Sequence, residues 1–385
     1  MRSFISLSVL VAILPTFGAS IAASNPLTEH DVKNTYVVKI KDEVSPDNFM
    51  SALKLGLHPG SIIKNAYTVI NAVAATIDPA DMSFVRGLPG IEYMEQDQIM
   101  SVSFDQEHTT RRSTPLVKRE SCPEPSFVQD GGKGVTIYSL GTLIWKGVKT
   151  EHECFGGRAK WGAVFGGYNM TDDNGHGTHT AGTVIGNYYG IARGANVVVV
   201  KVFGKSGTGA MTDVISGVNY ACNEFKKNNF TSSIIILPMS GVGTIRALDN
   251  AITNCAKMGM HFVVTAGNMD RDAGSFSPAR VPIANTVGAI NSTCYKVPSS
   301  NFGPVLDVHA LGVNVTSAGI GPGNNATKMA SGTSLATSYV AGILAITLEK
   351  YGNMSPEDLT AALKSNAYKG ALGFPNTTTD VAQLW

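Results

Sequence analysis

Beyond residue 130 the chain alternates between two textures, and that alternation constrains its fold more than any other feature. Apolar runs such as VTIYSL, ANVVVVKVF, SSIIILPM, HFVVTA and IANTVGAI lack a regular polar face. Amphipathic stretches of helical length alternate with them: TDVISGVNYACNEFKK, TIRALDNAITNCAKMG, SLATSYVAGILAITLEKYG and PEDLTAALKSNA. A strand without a polar face needs cover on both sides, and helical crossovers between such strands produce a parallel sheet. The predicted class is therefore α/β, a doubly wound parallel sheet with helices on both faces. Sites in such folds gather outside the carboxyl ends of the strands.

Residues 35–100 have a different texture. TYVVKIK reads as a strand, SPDNFMSALKLG as a Ser-capped helix, and YTVINAVAATI as a second strand. DPADMSFVRGL reads as a short helix and IEYMEQDQIM as a closing strand. The order β-α-β-α-β predicts a small α+β, ferredoxin-like unit. The polar stretch FDQEHTTRRSTPLVKRESCPEP follows, with linker composition and two dibasic pairs. Lys118-Arg119 is the expected cut for a dibasic-specific protease. The resulting division is 1–23, 24–119 and 120–385.

The first segment, MRSFISLSVLVAILPTFGASIAAS, has the charged start, short apolar centre and small-residue end of a cleaved secretory leader. Its apolar run is shorter than the roughly 20 residues that a membrane span needs. The expectation is a secreted, extracellular protein with no membrane segment. Asn169, Asn229, Asn291, Asn314, Asn325, Asn353 and Asn376 each begin an N-x-S/T sequon, as in a secreted glycoprotein. The balance of 30 basic and 29 acidic side chains gives no reason to expect a nucleic-acid partner. Cys122, Cys154, Cys222, Cys255 and Cys294 show no metal-ligand spacing. In an oxidising compartment they allow two disulfides and one remaining thiol, with the pairing open.

Three short pieces fall at strand-to-helix junctions. DDNGHGTHTAGTVIG places His176 at a glycine-rich helix start. MASGTSLATSYVAG places Ser334 where a turn enters an apolar helix, the place of an N-cap or of a nucleophile. A Ser hydroxyl is a weak nucleophile until a His takes its proton, so Ser334 calls for a partner such as His176. VVTAGN ends at Asn268, whose amide can donate to a developing oxyanion.

GHGTHTAG, TAGN and SGTSLATSYVAG, in this order, resemble the His, Asn and Ser motifs of the subtilases. NGHGTHTAGT, GIARGANVVVVKVF and SNFGPVLDV are similar to the proteinase K-like, fungal-type branch. The upstream TYVVKIKDEV and LPGIEYMEQDQ resemble that family's inhibitor propeptide. The resemblance implies a serine endopeptidase, made as a zymogen and held by its own propeptide. His176 would be the general base, Ser334 the nucleophile, and Asn268 with the Ser334 N–H the oxyanion donors. Ser206, Gly207, Thr208 and Gly209 would form one substrate-binding edge. Met239, Ser240, Gly241 and Val242 would form the other. Asp307, with the carbonyls of Pro282 and Ala284, would hold a structural calcium ion. No organic cofactor is implied, and the expected state is a monomer acting on proteins or peptides.

One position departs from the pattern. The family's catalytic Asp belongs to a Y-x-x-D-T-G-I type string, and here Tyr138-Ser139-Leu140-Gly141-Thr142-Leu143-Ile144 takes that register. Gly141 stands where the carboxylate should be. Asp172, Asp173, Glu151 and Glu153 lie nearby in sequence, but the acidic pair before NGHGTH does not serve the triad in this family. The helix after Ser334 carries Ser338-Tyr339 where the family has Pro-His. Two readings follow: a secreted endopeptidase with impaired catalysis, or a pseudo-protease that binds peptides or inhibitors without turnover.

Overall fold

The computed structural model describes residues 32–101, 122–123, 126–140, 148–172 and 175–385. The leader, the Lys118-Arg119 site, Gly141 and Asp173 lie outside these residues.

The upstream unit contains β1 (Thr35–Ile40), α1 (Pro46–Gly56), β2 (Ile62–Tyr67), β3 (Ala72–Thr76), α2 (Met82–Gly87) and β4 (Ile91–Gln96). Its antiparallel sheet has the order β2-β3-β1-β4. Phe49 and Leu53 of α1 and Val85 of α2 pack on Val38, Ile40, Val73, Ala75 and Ile77. Two sequence expectations change here. YTVINAVAATI is not one strand: the chain turns back after Tyr67, with Asn71 in left-handed backbone at φ 46°. Asn tolerates that conformation better than β-branched residues do, so a hairpin replaces a single strand and the order becomes β-α-β-β-α-β. IEYMEQDQIM also breaks, because the buried Asp97 turns towards the downstream unit and β5 (Ile99–Ser101) leaves the small sheet.

The downstream strands are β6 (Thr136–Leu140), β7 (Ala159–Val164), β8 (Asn196–Lys201), β9 (Thr208–Ala210), β10 (Ser233–Leu237), β11 (Gly241–Val242) and β12 (His261–Thr265). They continue with β13 (Phe276–Ser277), β14 (Asn285–Ile290), β15 (Val308–Leu311), β16 (Val315–Ala318), β17 (Thr327–Ala330), β18 (Tyr368–Lys369) and β19 (Asp380–Val381). Nine of them form one sheet, β18-β19-β15-β14-β12-β10-β6-β8-β7, parallel throughout except for the β18–β19 pair. The helices are α3 (His176–Ile185), α4 (Met211–Lys227), α5 (Arg246–Ala256), α6 (Thr333–Tyr351) and α7 (Pro356–Ser365).

Strand residues alternate between two cores, as a period of two requires. Tyr138, Leu140, Val198, Val200, Ile235 and Leu237 face the core that contains α4 and α5. Ile137, Val197, Val199, Ile234 and Ile236 face the core that contains α3, α6 and α7. The α6 helix is apolar nearly all round and buried through most of its length, so it runs inside the second layer rather than along the surface. Disulfides join Cys222 of α4 to Cys255 of α5 and Cys122 to Cys294, and Cys154 keeps its thiol. Burial pushes the Cys154 thiol up to about 12, which leaves it protonated and unreactive.

The order of strands reverses between β6 and β10. From β6 the chain fills the sheet towards β7, and from β10 it fills the sheet towards β15. Loops that leave the two sides of such a switch point part and open a crevice at the carboxyl ends. β6 ends at Leu140 at that point, and Asn268 lies just beyond β12.

Candidate active site

His176 opens α3 after Gly175, whose φ of 88° favours a residue without a Cβ. The first turn is held by Asp172: its carboxylate accepts Gly175 N–H at 2.8 Å, Thr178 N–H at 3.2 Å and the Thr178 hydroxyl. Asp172 is therefore a cap for the helix that presents His176. Ser334 is the second residue of α6, which packs against α3. The two helix starts meet, and His176 Nε2 lies 2.9 Å from Ser334 Oγ. Both side chains are buried.

The pKa of His176 is held well below the ordinary imidazole value, first by burial and then by the neighbouring His179 and the Lys328 charge. An imidazole held neutral can accept a proton. An imidazolium formed there during reaction meets the same unfavourable surroundings unless a carboxylate offsets them.

Asn268 is oriented by the residue beside the nucleophile. Its Oδ1 accepts Thr333 N–H at 2.9 Å and the Thr333 hydroxyl at 2.8 Å. The Thr333 hydroxyl in turn receives a hydrogen bond from Thr265. With Oδ1 fixed in this way, Nδ2 is the end of the amide that can donate to a reacting carbonyl. The turn that carries Asn268 is latched by the buried Asn301. Asn301 donates to Ala266 O at 2.8 Å and accepts from Met269 N–H and Arg271 N–H at 2.9 and 3.0 Å. Gly267 in this turn has φ 100°, and a Cβ there would lie 2.5 Å from Asn301 Nδ2. Ser334 lies in the first turn of α6, where N–H groups have no acceptor within the helix. Replacing Asn268 with Leu is expected to lower kcat about 10²–10³-fold with little change in KM, read by steady-state peptide hydrolysis.

The sequence motifs alone did not single out Thr333, Thr265, Asn301 and Asp172 as supports. Thr333 and Asn301 sit inside the quoted strings SGTS and SNFG, but only the folded chain shows which side chain each one grips. Ser338, in the Pro position of the family pattern, is fully buried and donates to Ser334 O at 3.0 Å. That bond to the preceding turn is one a proline could not make.

The two predicted edges face a common strand. Thr208 and Gly209 belong to β9, which pairs antiparallel with β5 in the register Met100↔Gly209 and Ser101↔Thr208. Ser206 and Gly207 form the preceding turn, with Gly207 at φ 81°. On the other side Ser101 N–H donates to Ser240 O at 3.3 Å and Ser240 N–H donates to Ser101 O at 3.2 Å. Residues 99–101 thus lie between both edges as an added strand, with Met100 fully buried. A Cβ on Gly209 would lie 2.1 Å from the Phe203 ring, so close approach of β9 requires a glycine there. Gly241 borders Met100, Val242 is exposed, and Met239 is buried in the core behind the edge rather than lining it.

The upstream unit seats itself on the same face through α4 and α5. Glu95 accepts Arg246 N–H at 2.9 Å and Ala247 N–H at 2.7 Å, which caps α5. Asp97 accepts Thr212 N–H at 3.1 Å and the Thr212 hydroxyl at 2.6 Å, which caps α4. Gln98 O accepts Met211 N–H, and Tyr67 donates to Thr212 O at 2.7 Å. Burial, and then the neighbouring Asp97 charge, push Asp213 up to about 7. Asp307 lies apart, at the start of β15, and its carboxylate meets Lys364 at 3.1 Å and Thr286 N–H at 2.9 Å. Of the two proposed carbonyl ligands, Pro282 belongs to an exposed residue and Ala284 to a buried one.

Comparison with known proteins agrees with this geometry. The family described as "Subtilase family" matches residues 139–382. Subtilisin-like protease 1 of Pseudogymnoascus destructans is 32% identical, over 97% of this chain and 94% of that protein. Subtilisin-like serine protease Rho m 2.0101 of Rhodotorula mucilaginosa is 37% identical, over 77% of this chain and 90% of that protein. A crystal structure of a cold adapted subtilisin-like serine proteinase is 34% identical, covering 72% of this chain and 96% of that one with a TM-score of 0.61. With a parallel sheet of this topology, a His–Ser contact at its carboxyl end and fungal subtilisin-like proteases as relatives, the chain belongs to the subtilase family, in its proteinase K-like branch.

Proposed function

We propose that the chain is a secreted subtilisin-like serine endopeptidase, made as a zymogen, whose catalysis is lowered by Gly141 at the position of the triad carboxylate. The observation that carries the reading is the 2.9 Å contact between His176 Nε2 and Ser334 Oγ. In peptide hydrolysis Ser334 Oγ attacks the scissile carbonyl carbon and its proton passes to His176 Nε2. The oxyanion accepts hydrogen bonds from Asn268 Nδ2 and Ser334 N–H. His176 then returns the proton to the departing amine, and water repeats the sequence on the acyl-enzyme. Substrate backbone pairs with residues 206–209 and 239–242, an edge addition that demands little of the substrate's side chains. Broad specificity is expected.

Residues 24–119 act as the inhibitor propeptide. The seating of residues 99–101 between the two edges supports this, because a strand there excludes substrate. Maturation occurs after Arg119, in trans, through a dibasic-specific protease. The leader at 1–23 and the sequons support export. Asn169, Asn229, Asn314, Asn325, Asn353 and Asn376 are exposed and accessible to glycosylation, whereas Asn291 is half-buried. Among the described residues no helix is long and apolar enough to cross a membrane.

A second reading, a pseudo-protease that binds peptides or inhibitors in the cleft, is favoured by Gly141 at the position of the triad carboxylate. A serine-directed fluorophosphonate separates the two. The endopeptidase reading expects slow labelling of the mature protein that Ser334→Ala abolishes. A folded protein that does not label, and does not label after Gly141→Asp either, supports binding without turnover.

A further inference from the structure

The calcium ion expected at Asp307 raises a question of fit. Calcium takes six to eight oxygens at about 2.3–2.6 Å, so a carboxylate that serves it must turn towards the ion. Both oxygens of Asp307 are committed within the chain. Oδ2 accepts Thr286 N–H at 2.9 Å, and Oδ1 accepts the Lys364 ammonium at 3.1 Å. Asp307 N–H also donates to Thr286 O at 2.9 Å, so Asp307 grips Thr286 twice and ties the start of β14 to that of β15.

Lys364 reaches this corner from the last turn of α7. One turn earlier, Thr360 donates to Asn285 Oδ1 at 3.0 Å. Residues four apart share one helix face, so α7 meets the corner with a matched hydroxyl and ammonium. The Asp307 side chain is 14% exposed. Burial disfavours its charge, while Thr286 N–H and Lys364 favour it. A divalent ion bound to Oδ1 would have to displace the ammonium or lie against a like charge. Among the described residues, no group of three or more His, Cys, Asp or Glu could hold a metal ion elsewhere.

We propose that the Lys364 ammonium stands in the place of a calcium ion at Asp307, so that this corner of the fold carries its own counter-charge and holds without metal. This ion pair acts on stability and is independent of turnover.

Thermal unfolding of the whole chain, at one scan rate, in EDTA and in millimolar calcium, tests it with Asp307→Asn, Lys364→Met and the double variant. Lys364→Met keeps an apolar stem and removes only the charge. The natural protein and Asp307→Asn should respond alike to calcium. Each single substitution should lower Tm by about 2–4 °C, and the double variant should lose less than the sum. An EDTA effect on the natural protein that Asp307→Asn abolishes would overturn the proposal, as would strictly additive losses. Should Asp307→Asn fail to fold, Lys364→Met decides: lost stability in a protein whose natural form ignores EDTA upholds the substitution. A natural form that loses several degrees in EDTA, with Lys364→Met no less stable, refutes it.

Discussion

Gly141→Asp is expected to raise kcat for peptide hydrolysis by about 10⁴-fold, judged by what subtilisin loses when its triad Asp alone is removed. The carboxylate would hold the tautomer in which His176 Nε2 accepts the Ser334 proton, and would stabilise the imidazolium formed in the transition state. Among the described residues, burial, His179 and Lys328 disfavour a charged His176. The pH profile separates this mechanism from a general improvement in folding. A base must be neutral to act, so with a depressed pKa the acid limb of kcat/KM lies below the ordinary histidine range. A carboxylate favours the imidazolium and raises that pKa, so the variant's acid limb moves to higher pH. A folded variant with unchanged rate and unchanged limb would show that Gly141 is not the missing position.

If residues 24–119 act as the proposed inhibitor propeptide, removing the two capping carboxylates of the upstream unit is expected to weaken its inhibition of the downstream domain about 10³-fold. A hydrogen bond contributes about 1 kcal/mol net, so four lost bonds amount to about 4 kcal/mol, or about 10³-fold. Glu95 and Asp97 each make two such bonds to a helix start, where the dipole adds to them. Glu95→Ala and Asp97→Ala together, in an upstream unit added separately, should show the loss as a raised inhibition constant. The same contact has a pH signature. In the docked form Asp97 is buried near Asp213, burial raises both carboxyl groups, and Asp213 stands at about 7. A raised carboxyl pKa means that the docked form takes up protons. Affinity is therefore expected to fall as pH rises towards about 7, with the upstream unit held more tightly in acid. Affinity that is constant from pH 5 to pH 8 would remove this acid pair from the control of release.

Much of the fold was legible because the signal is repetitive. Runs such as NVVVVK can be satisfied only by cover on both sides, and five of them alternating with helices leave few arrangements. His176, Ser334 and Asn268 were legible because their glycine-rich settings limit where the backbone can turn. The hairpin at Asn71 was not legible, since YTVINAVAATI keeps an alternating pattern straight through the reversal. The break at Asp97 was not legible either, because its cause is Thr212, 115 residues away.

Sequence by itself determined the alternation that makes a doubly wound sheet, the residue types and spacing of the three motifs and the absence of Asp at position 141. Those properties are local: residue identity and spacing are enough to state them. Tertiary structure alone decided that Asp172 caps a helix, that Thr333 and Asn301 aim Asn268, that residues 99–101 fill the cleft, and that Lys364 faces Asp307. Each depends on which side chains meet across distant segments, and a hydrogen bond or ion pair exists only once the packed sheet has brought both partners within about 3 Å.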